Sequence, residues 1–254
     1  MSESMDEMAL LVDLHKQMYR QGPGGDQETE LAVKLAEIDR TKPLQVADIG
    51  CGTGAPTLAL ARLLDAHITA VDALDDFLAV LDGRARGVGL SERISTVCAS
   101  MEQLPLADEA YDVIWSEGAV YNMGFERGLR EWRRFLKPQG ILVVSEITWL
   151  SASRPQEIDT YWRGEYSEID TASAKMELLE RNGYLPLGYF TLPQHCWLDN
   201  YYRPLQESFP GFLARNGDSR EAREIVAAEE REIEMYERFG AFYSYGVYIA
   251  RTSP

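Results

Sequence analysis

Residues 46–56 read VADIGCGTGAP, and this stretch decides the fold. An apolar run carrying an acid, Asp48, leads into glycines at 50, 52 and 54 and then Pro56. Glycines there let the backbone turn tightly, approach a ligand closely and leave the N–H groups of a helix start free to bind it. Pro56 falls in the first turn of the next helix, where a missing N–H costs nothing. The stretch therefore reads as strand, ligand-binding loop and helix in succession.

Around this unit, apolar runs of strand length alternate with helix-periodic segments. HITAVD is followed by DFLAVLDGRARG, RISTVC at 93–98, YDVIWS at 111–116, a helix near 125–136 and GILVVSE at 140–146. Five strands in this rhythm predict an open, doubly wound, mostly parallel α/β sheet. Upstream, Met8, Leu11, Val12 and Met18 recur at helical spacing over 5–19, QGPGG at 21–25 breaks the pattern, and a second helix is expected over 26–39. Downstream the expected elements are a helix at 171–182, a strand at 186–192, two charged helices between 200 and 238 and a last strand, AFYSYGVYIA. Without repeats or linkers the chain reads as a single domain over 1–254. It comprises N-terminal helices (1–43), a cofactor-binding core (44–146), a helical, aromatic region (147–240) and a final strand (241–254).

The 254 residues are 45% hydrophobic, enough to bury a full core. A net charge of −16, from 41 acidic and 25 basic side chains, would repel a nucleic-acid duplex over most of the surface. Its simplest meaning is solubility. Three widely spaced cysteines, Cys51, Cys98 and Cys196, suit a reducing compartment and neither a disulfide framework nor a zinc site. The N-terminus, MSESMDEMALLVDLHKQ, is acidic where a signal peptide is basic, and no apolar run approaches the ~18 residues of a membrane span. The expectation is a cytoplasmic protein.

The glycines alone leave two cofactors open. Gly50, Gly52 and Ala55 satisfy the G-x-G-x-x-G/A dinucleotide fingerprint, with Asp72 well spaced for a ribose, so an NAD-type oxidoreductase is permitted. Asp48 weighs against it, because a carboxylate two residues before the first glycine would repel a pyrophosphate at low dielectric. S-adenosylmethionine has no phosphate and carries a cationic sulfonium and ammonium, which an acid at this strand end favours.

The pattern D-x-G-x-G-x-G at 48–54 resembles motif I of the class I S-adenosylmethionine-dependent methyltransferases. In matching order, ITAVDALDDFL is similar to their second strand, ASMEQLPL at 99–106 to their adenine-binding segment, YDVIWSEGAVYNMGF at 111–125 to their fourth-strand motif and FLKPQGILVVSE to their fifth. The string WSEGAVYNMGFERGLREW also resembles a group of bacterial methyltransferases of unassigned substrate. The resemblance, covering about 44–146, implies a seven-stranded sheet with the last strand antiparallel and a helical insertion as lid. It implies that S-adenosylmethionine is held by Asp48, Gly50, Gly52, Thr53 and Gly54, by Asp72 and Ala73 at the ribose, by Ser100, Met101 and Glu102 at the adenine and by Ser116. Ser100 stands where the family usually has an Asp. Related proteins close a preceding helix over the cofactor, which makes Tyr19 and Gln21, at the end of that helix and the start of its glycine hinge, candidates.

Methyl transfer is an in-line displacement at a carbon already activated by positive sulfur, so the protein mainly aligns a nucleophile and excludes water. Where the acceptor must lose a proton, a base belongs at the C-terminal ends of the parallel strands. Glu117 is the first candidate, with Tyr121 beside it and Glu146 ending strand five. His195 is a further acid or base candidate. Aromatic residues crowd 149–202, and Trp149, Tyr201 and Tyr202, together with His195, are the candidates to touch the acceptor. The run EAREIVAAEEREIEMYERF at 221–239 reads as an amphipathic helix with a solvated acidic face, alternatively a homodimer contact. The expected partner is a small molecule, with no nucleic acid, membrane or metal. A methyltransferase-fold protein that binds without catalysis stays open alongside.

Overall fold

The computed structural model describes residues 2–253. Helices α1 (Ser2–His15) and α2 (Asp26–Leu35) precede β1 (Leu44–Ile49), α3 (Ala55–Leu63), β2 (Ala66–Asp72), α4 (Asp75–Gly87), β3 (Ile94–Cys98), β4 (Tyr111–Ser116), α5 (Phe125–Trp132) and β5 (Leu136–Trp149). There follow α6 (Gln156–Glu165), a two-residue β6 (Asp170–Thr171), α7 (Ala172–Arg181) and β7 (Tyr184–Thr191). Next, α8 (Gln194–Trp197) runs through a π turn at Leu198–Tyr202 into α9 (Arg203–Arg215), ahead of α10 (Arg220–Phe239) and β8 (Tyr243–Thr252).

The sheet order is β3-β2-β1-β4-β5-β8-β7, with β6 paired to β5 off this path. The pairs among β1 to β5 are parallel, and β8 is antiparallel to both its neighbours. This is the expected doubly wound sheet with an antiparallel last strand, plus one short strand. Alternate side chains feed two cores, as the two-residue period of strands requires. Val46, Val113, Val143 and Ile249 face one core with residues of α2, α3, α4, α9 and α10; Ala47, Ile114, Val144 and Tyr248 face the other with residues of α5 and α7.

Several boundaries differ from those expected, three of them for a plain local reason. The first helix ends at His15 rather than near 19, because the Met18 and Tyr19 carbonyls accept from Arg84 instead of continuing a helical ladder. The second ends at Leu35, short of Glu37, whose φ is 50°. Strand β5 extends past Glu146 because Ile147, Thr148 and Trp149 keep pairing with Tyr245, Ser244 and Tyr243 of β8. Since β1 has β2 on one side and β4 on the other, the connections leaving its C-terminal end and that of β4 diverge, opening the crevice where open α/β sheets bind ligands.

Candidate active site

A cavity of about 820 Å³ occupies that crevice. Its floor is the loop after β1. Gly50 has φ +74°, and a Cβ there would lie 2.3 Å from that of Ala119; Gly52 has φ +55°, and its Cβ would meet Gln21 Oε1 at 2.4 Å. Both positions exclude other residues by conformation and by space. Asp72, ending β2, accepts from the Gly52 N–H at 2.9 Å and the Leu74 N–H at 2.9 Å, one on each oxygen. This fixes the carboxylate at the cavity wall with lone pairs to spare, and burial outweighs those donors to raise its pKa. Ala73, Ser100, Met101 and Glu102 line the same half.

Asp48 is not on the wall. It is 1% exposed behind the loop, where the Thr57 hydroxyl donates to Oδ2 at 2.5 Å and Oδ1 has no partner among the described residues. Burial, with Glu117 and Asp72 nearby, pushes its carboxyl up to about 7 against the pull of Thr57. Thr53 and Gly54 also lie off the wall. The Thr53 hydroxyl is 2.6 Å from Arg84 Nη1, and Gly54 is the left-handed N-cap of α3, packed on Leu81. Ser116 is wholly buried inside the sheet.

The segment after α1 is clamped over this floor. Arg84 of α4 donates to the carbonyls of Met18 (2.8 Å), Tyr19 (3.0 Å) and Thr53 (2.9 Å), and Gln21 Oε1 accepts from the Thr53 N–H at 2.8 Å. Gln21 thereby lines the cavity, whereas Tyr19 sits outside beneath the Arg84 guanidinium.

Glu117 lines the cavity, but three of its four acceptor positions are taken. Oε1 accepts from Thr29 Oγ1 and Trp115 Nε1, both at 2.9 Å, and Oε2 pairs with Arg20 at 3.1 Å. Arg20, only 5% exposed, also holds Asp26 at 2.9 Å. The expected base is thus a latch that ties the segment before α2 to the tip of β4. Glu146 is corrected too: it is fully buried and paired with Lys175 at 3.1 Å, away from the rim.

Opposite the loop, the cavity is closed by His15 of α1, Tyr121 after β4, Tyr201 in the π turn, and Glu229 and Glu232 of α10. His15 Nε2 lies 3.2 Å from Glu229 Oε1, and the Tyr202 hydroxyl donates to Glu232 Oε1 at 2.8 Å. Burial, with Glu229 one turn away, raises the Glu232 carboxyl to about 7. Tyr202 therefore stands behind the wall rather than on it. Trp149 is buried edge-on to Tyr243 with Arg154 over its face, and His195 lies off the cavity, 3.3 Å from Glu28 and 3.7 Å from Cys196 Sγ. The solvated helix of the sequence reading instead puts two acids into the cavity. The signal was present, because Glu229 and Glu232 fall at helical spacing from Ile225 and Tyr236 on the apolar face.

The strand order, the glycine loop at the switch point and the acid ending β2 define the class I, Rossmann-like S-adenosylmethionine-dependent methyltransferase architecture. Residues 47–144 match the methyltransferase domain family. It is 33% identical over 111 residues to the methyltransferase GfsG of Streptomyces halstedii, a match spanning 43% of this chain and 40% of that one, so the chain spans under half of that relative. A SAM-dependent methyltransferase of Geobacter sulfurreducens, in complex with S-adenosyl-L-homocysteine, shares the fold at a TM-score of 0.82 over 97% of this chain and 98% of that one, with 18% identity. The [4+2]-cyclase SpnF superposes at 0.73 over 90% of this chain and 81% of that one, with 27% identity.

Proposed function

We propose that the protein transfers the methyl group of S-adenosylmethionine to a small-molecule acceptor. The supporting observation is a single cavity that joins the glycine loop and Asp72 to a separate polar end formed by α1, the π turn and α10. The residues present fit the cofactor. Asp72 keeps lone pairs for two ribose hydroxyls, Ser100, Met101 and Glu102 would hold the base, and the Gly50–Gly52 floor admits backbone contact with the methionine portion. The nearby acids Asp48 and Asp72 suit a ligand with two cationic groups and no phosphate. When bound, the cofactor supplies a methyl carbon made electrophilic by its sulfonium.

The chain's own work is positioning. The Arg84 and Gln21 clamp holds the 16–25 segment over the loop and keeps water out, Arg20–Glu117 fastens that segment to β4, and Tyr121 flanks the acceptor's approach. Among the described residues no helix is long and apolar enough to cross a membrane. A cytoplasmic setting is part of the reading, supported by three unpaired thiols, and so is a small-molecule rather than nucleic-acid partner, supported by the −16 charge. The outer face of α10 is occupied by its own Arg220–Glu224 and Arg238–Glu234 pairs and lends no support to a homodimer contact there.

The test is calorimetric titration with S-adenosylhomocysteine, followed by transfer of labelled methyl into a pool of small metabolites. Binding with turnover is the expected result. Failure to bind would overturn the cofactor, and binding without transfer to any acceptor would overturn the chemistry.

A further inference from the structure

The acceptor end of the cavity carries two carboxylates, Glu229 and Glu232, that no Lys or Arg pairs with among the described residues; His15 meets Glu229, and Tyr202 donates to Glu232. Arg20 is spent on Glu117 and Asp26, so the polar groups there include the carboxylates of Glu229 and Glu232, the imidazole of His15, the Asn122 amide and the hydroxyls of Tyr121 and Tyr201. Tyr201 is the telling one. Its side chain is 6% exposed and lines the same cavity as Glu229 and Glu232, and its hydroxyl makes no hydrogen bond among the described residues. Two tyrosines and two carboxylates lining one cavity form a site for an organic cation, which would gain from the charge and from any ring face it meets.

Resting on the methyltransferase reading above, we propose that the acceptor is an organic amine, bound as its ammonium ion between Glu229 and Glu232 against Tyr201 and Tyr121, and methylated on that nitrogen. Tyr202, donating to Glu232 Oε1, and His15, on Glu229 Oε1, are positioning residues that aim the two carboxylates. The ammonium gives one proton to Glu232. Its freed lone pair forms the new N–C bond as the S–C bond breaks, and that bonding pair stays on sulfur, which becomes a neutral thioether. Burial already raises the proton affinity of Glu232, so it can accept the proton without first being activated.

The test is equilibrium binding to the full chain saturated with S-adenosylhomocysteine, using benzylamine, N-methylbenzylamine and benzyltrimethylammonium as probes and benzyl alcohol as the neutral isostere. The cations should bind at least about tenfold more tightly than the alcohol, and Glu229→Gln and Glu232→Gln should each remove about tenfold of that affinity while leaving S-adenosylhomocysteine affinity unchanged. The retained product affinity reports that the variants are folded. Equal binding of the alcohol and the amines, or unchanged cation affinity in both variants, would overturn the proposal while leaving the cofactor reading standing. Loss of S-adenosylhomocysteine binding by the wild-type chain would instead strike that earlier reading.

Discussion

Asp48→Asn isolates an electrostatic cost carried by the central motif. Asp48 is 1% exposed, and burial raises its carboxyl from the ordinary 3.8 to about 7. A carboxyl whose folded pKa exceeds its unfolded one favours the folded state only while protonated. Its contribution is whole below the unfolded pKa and is lost as the pH rises through about 7. The full gap amounts to ~4 kcal/mol, of which ~3 kcal/mol falls between about pH 5 and about pH 8.5. Asparagine keeps an acceptor for the Thr57 hydroxyl and cannot ionise, so it removes this slope. Any fixed penalty from its buried amide shifts stability equally at every pH.

The assay is urea unfolding followed by tryptophan fluorescence at a series of pH values, with m compared to confirm that the two chains unfold alike. Wild-type protein should lose ~3 kcal/mol more than Asp48→Asn across that window. Glu232, also raised to about 7, gives a slope of the same sign that stays in both chains and cancels in the difference. Superimposable pH dependences would refute the reasoning, since they would mean that Asp48 has an ordinary pKa or relaxes toward water.

Glu117→Gln keeps acceptors for Thr29 and Trp115 but leaves Arg20 with Asp26 alone. Unfolding free energy should fall by ~2 kcal/mol, and S-adenosylhomocysteine affinity should drop together with turnover; a loss of turnover alone would restore Glu117 as a base. Lys175→Met strands Glu146 inside the protein and should cost ~4 kcal/mol in a urea titration, with much of the loss recovered in the Glu146→Gln, Lys175→Met double variant. Arg84→Ala removes the donors that hold Met18 and Tyr19. Hydrogen exchange should accelerate over residues 16–25 and stay unchanged in β4 and β5, with cofactor-product affinity reduced.

The core was legible in the sequence because strand period, turn glycines and Pro56 are local signals that tertiary packing reinforced. The cofactor half followed, as the same loop geometry fixes Gly50, Gly52 and Asp72 around one cavity edge. The acceptor half was less legible because its residues come from separate elements whose closure the sequence does not encode locally. Trp149 and Tyr202 are aromatic for packing, the first on Tyr243 and the second behind Glu232. Glu117 looked like a base from its place at the strand tip, and only the long-range arrival of Arg20 and Thr29 shows it engaged in holding the segment before α2. Glu229 and Glu232 were the readable exception. An acid on the apolar face of an amphipathic helix must find a partner or a cavity, and here both line the same cavity.

Discrimination against a phosphate-bearing cofactor changes character once Asp48 is seen behind the loop. From sequence alone its carboxylate would act by contact. In the fold it contributes through the field, in company with Asp72 on the wall, and only while ionised. Because its pKa sits at about 7, the charge of the floor is adjustable: a cation bound above the loop favours ionisation of Asp48, and a pyrophosphate would favour its protonation. The second response removes the repulsion by Asp48 itself, so exclusion of a dinucleotide cannot rest on that residue. It falls to Gln21, which crowds the second glycine and takes the Thr53 N–H, whereas Asp72 suits the ribose of either cofactor and does not discriminate. Asp48 then acts chiefly by favouring a cationic occupant, the same preference that Glu229 and Glu232 set at the other end of the cavity.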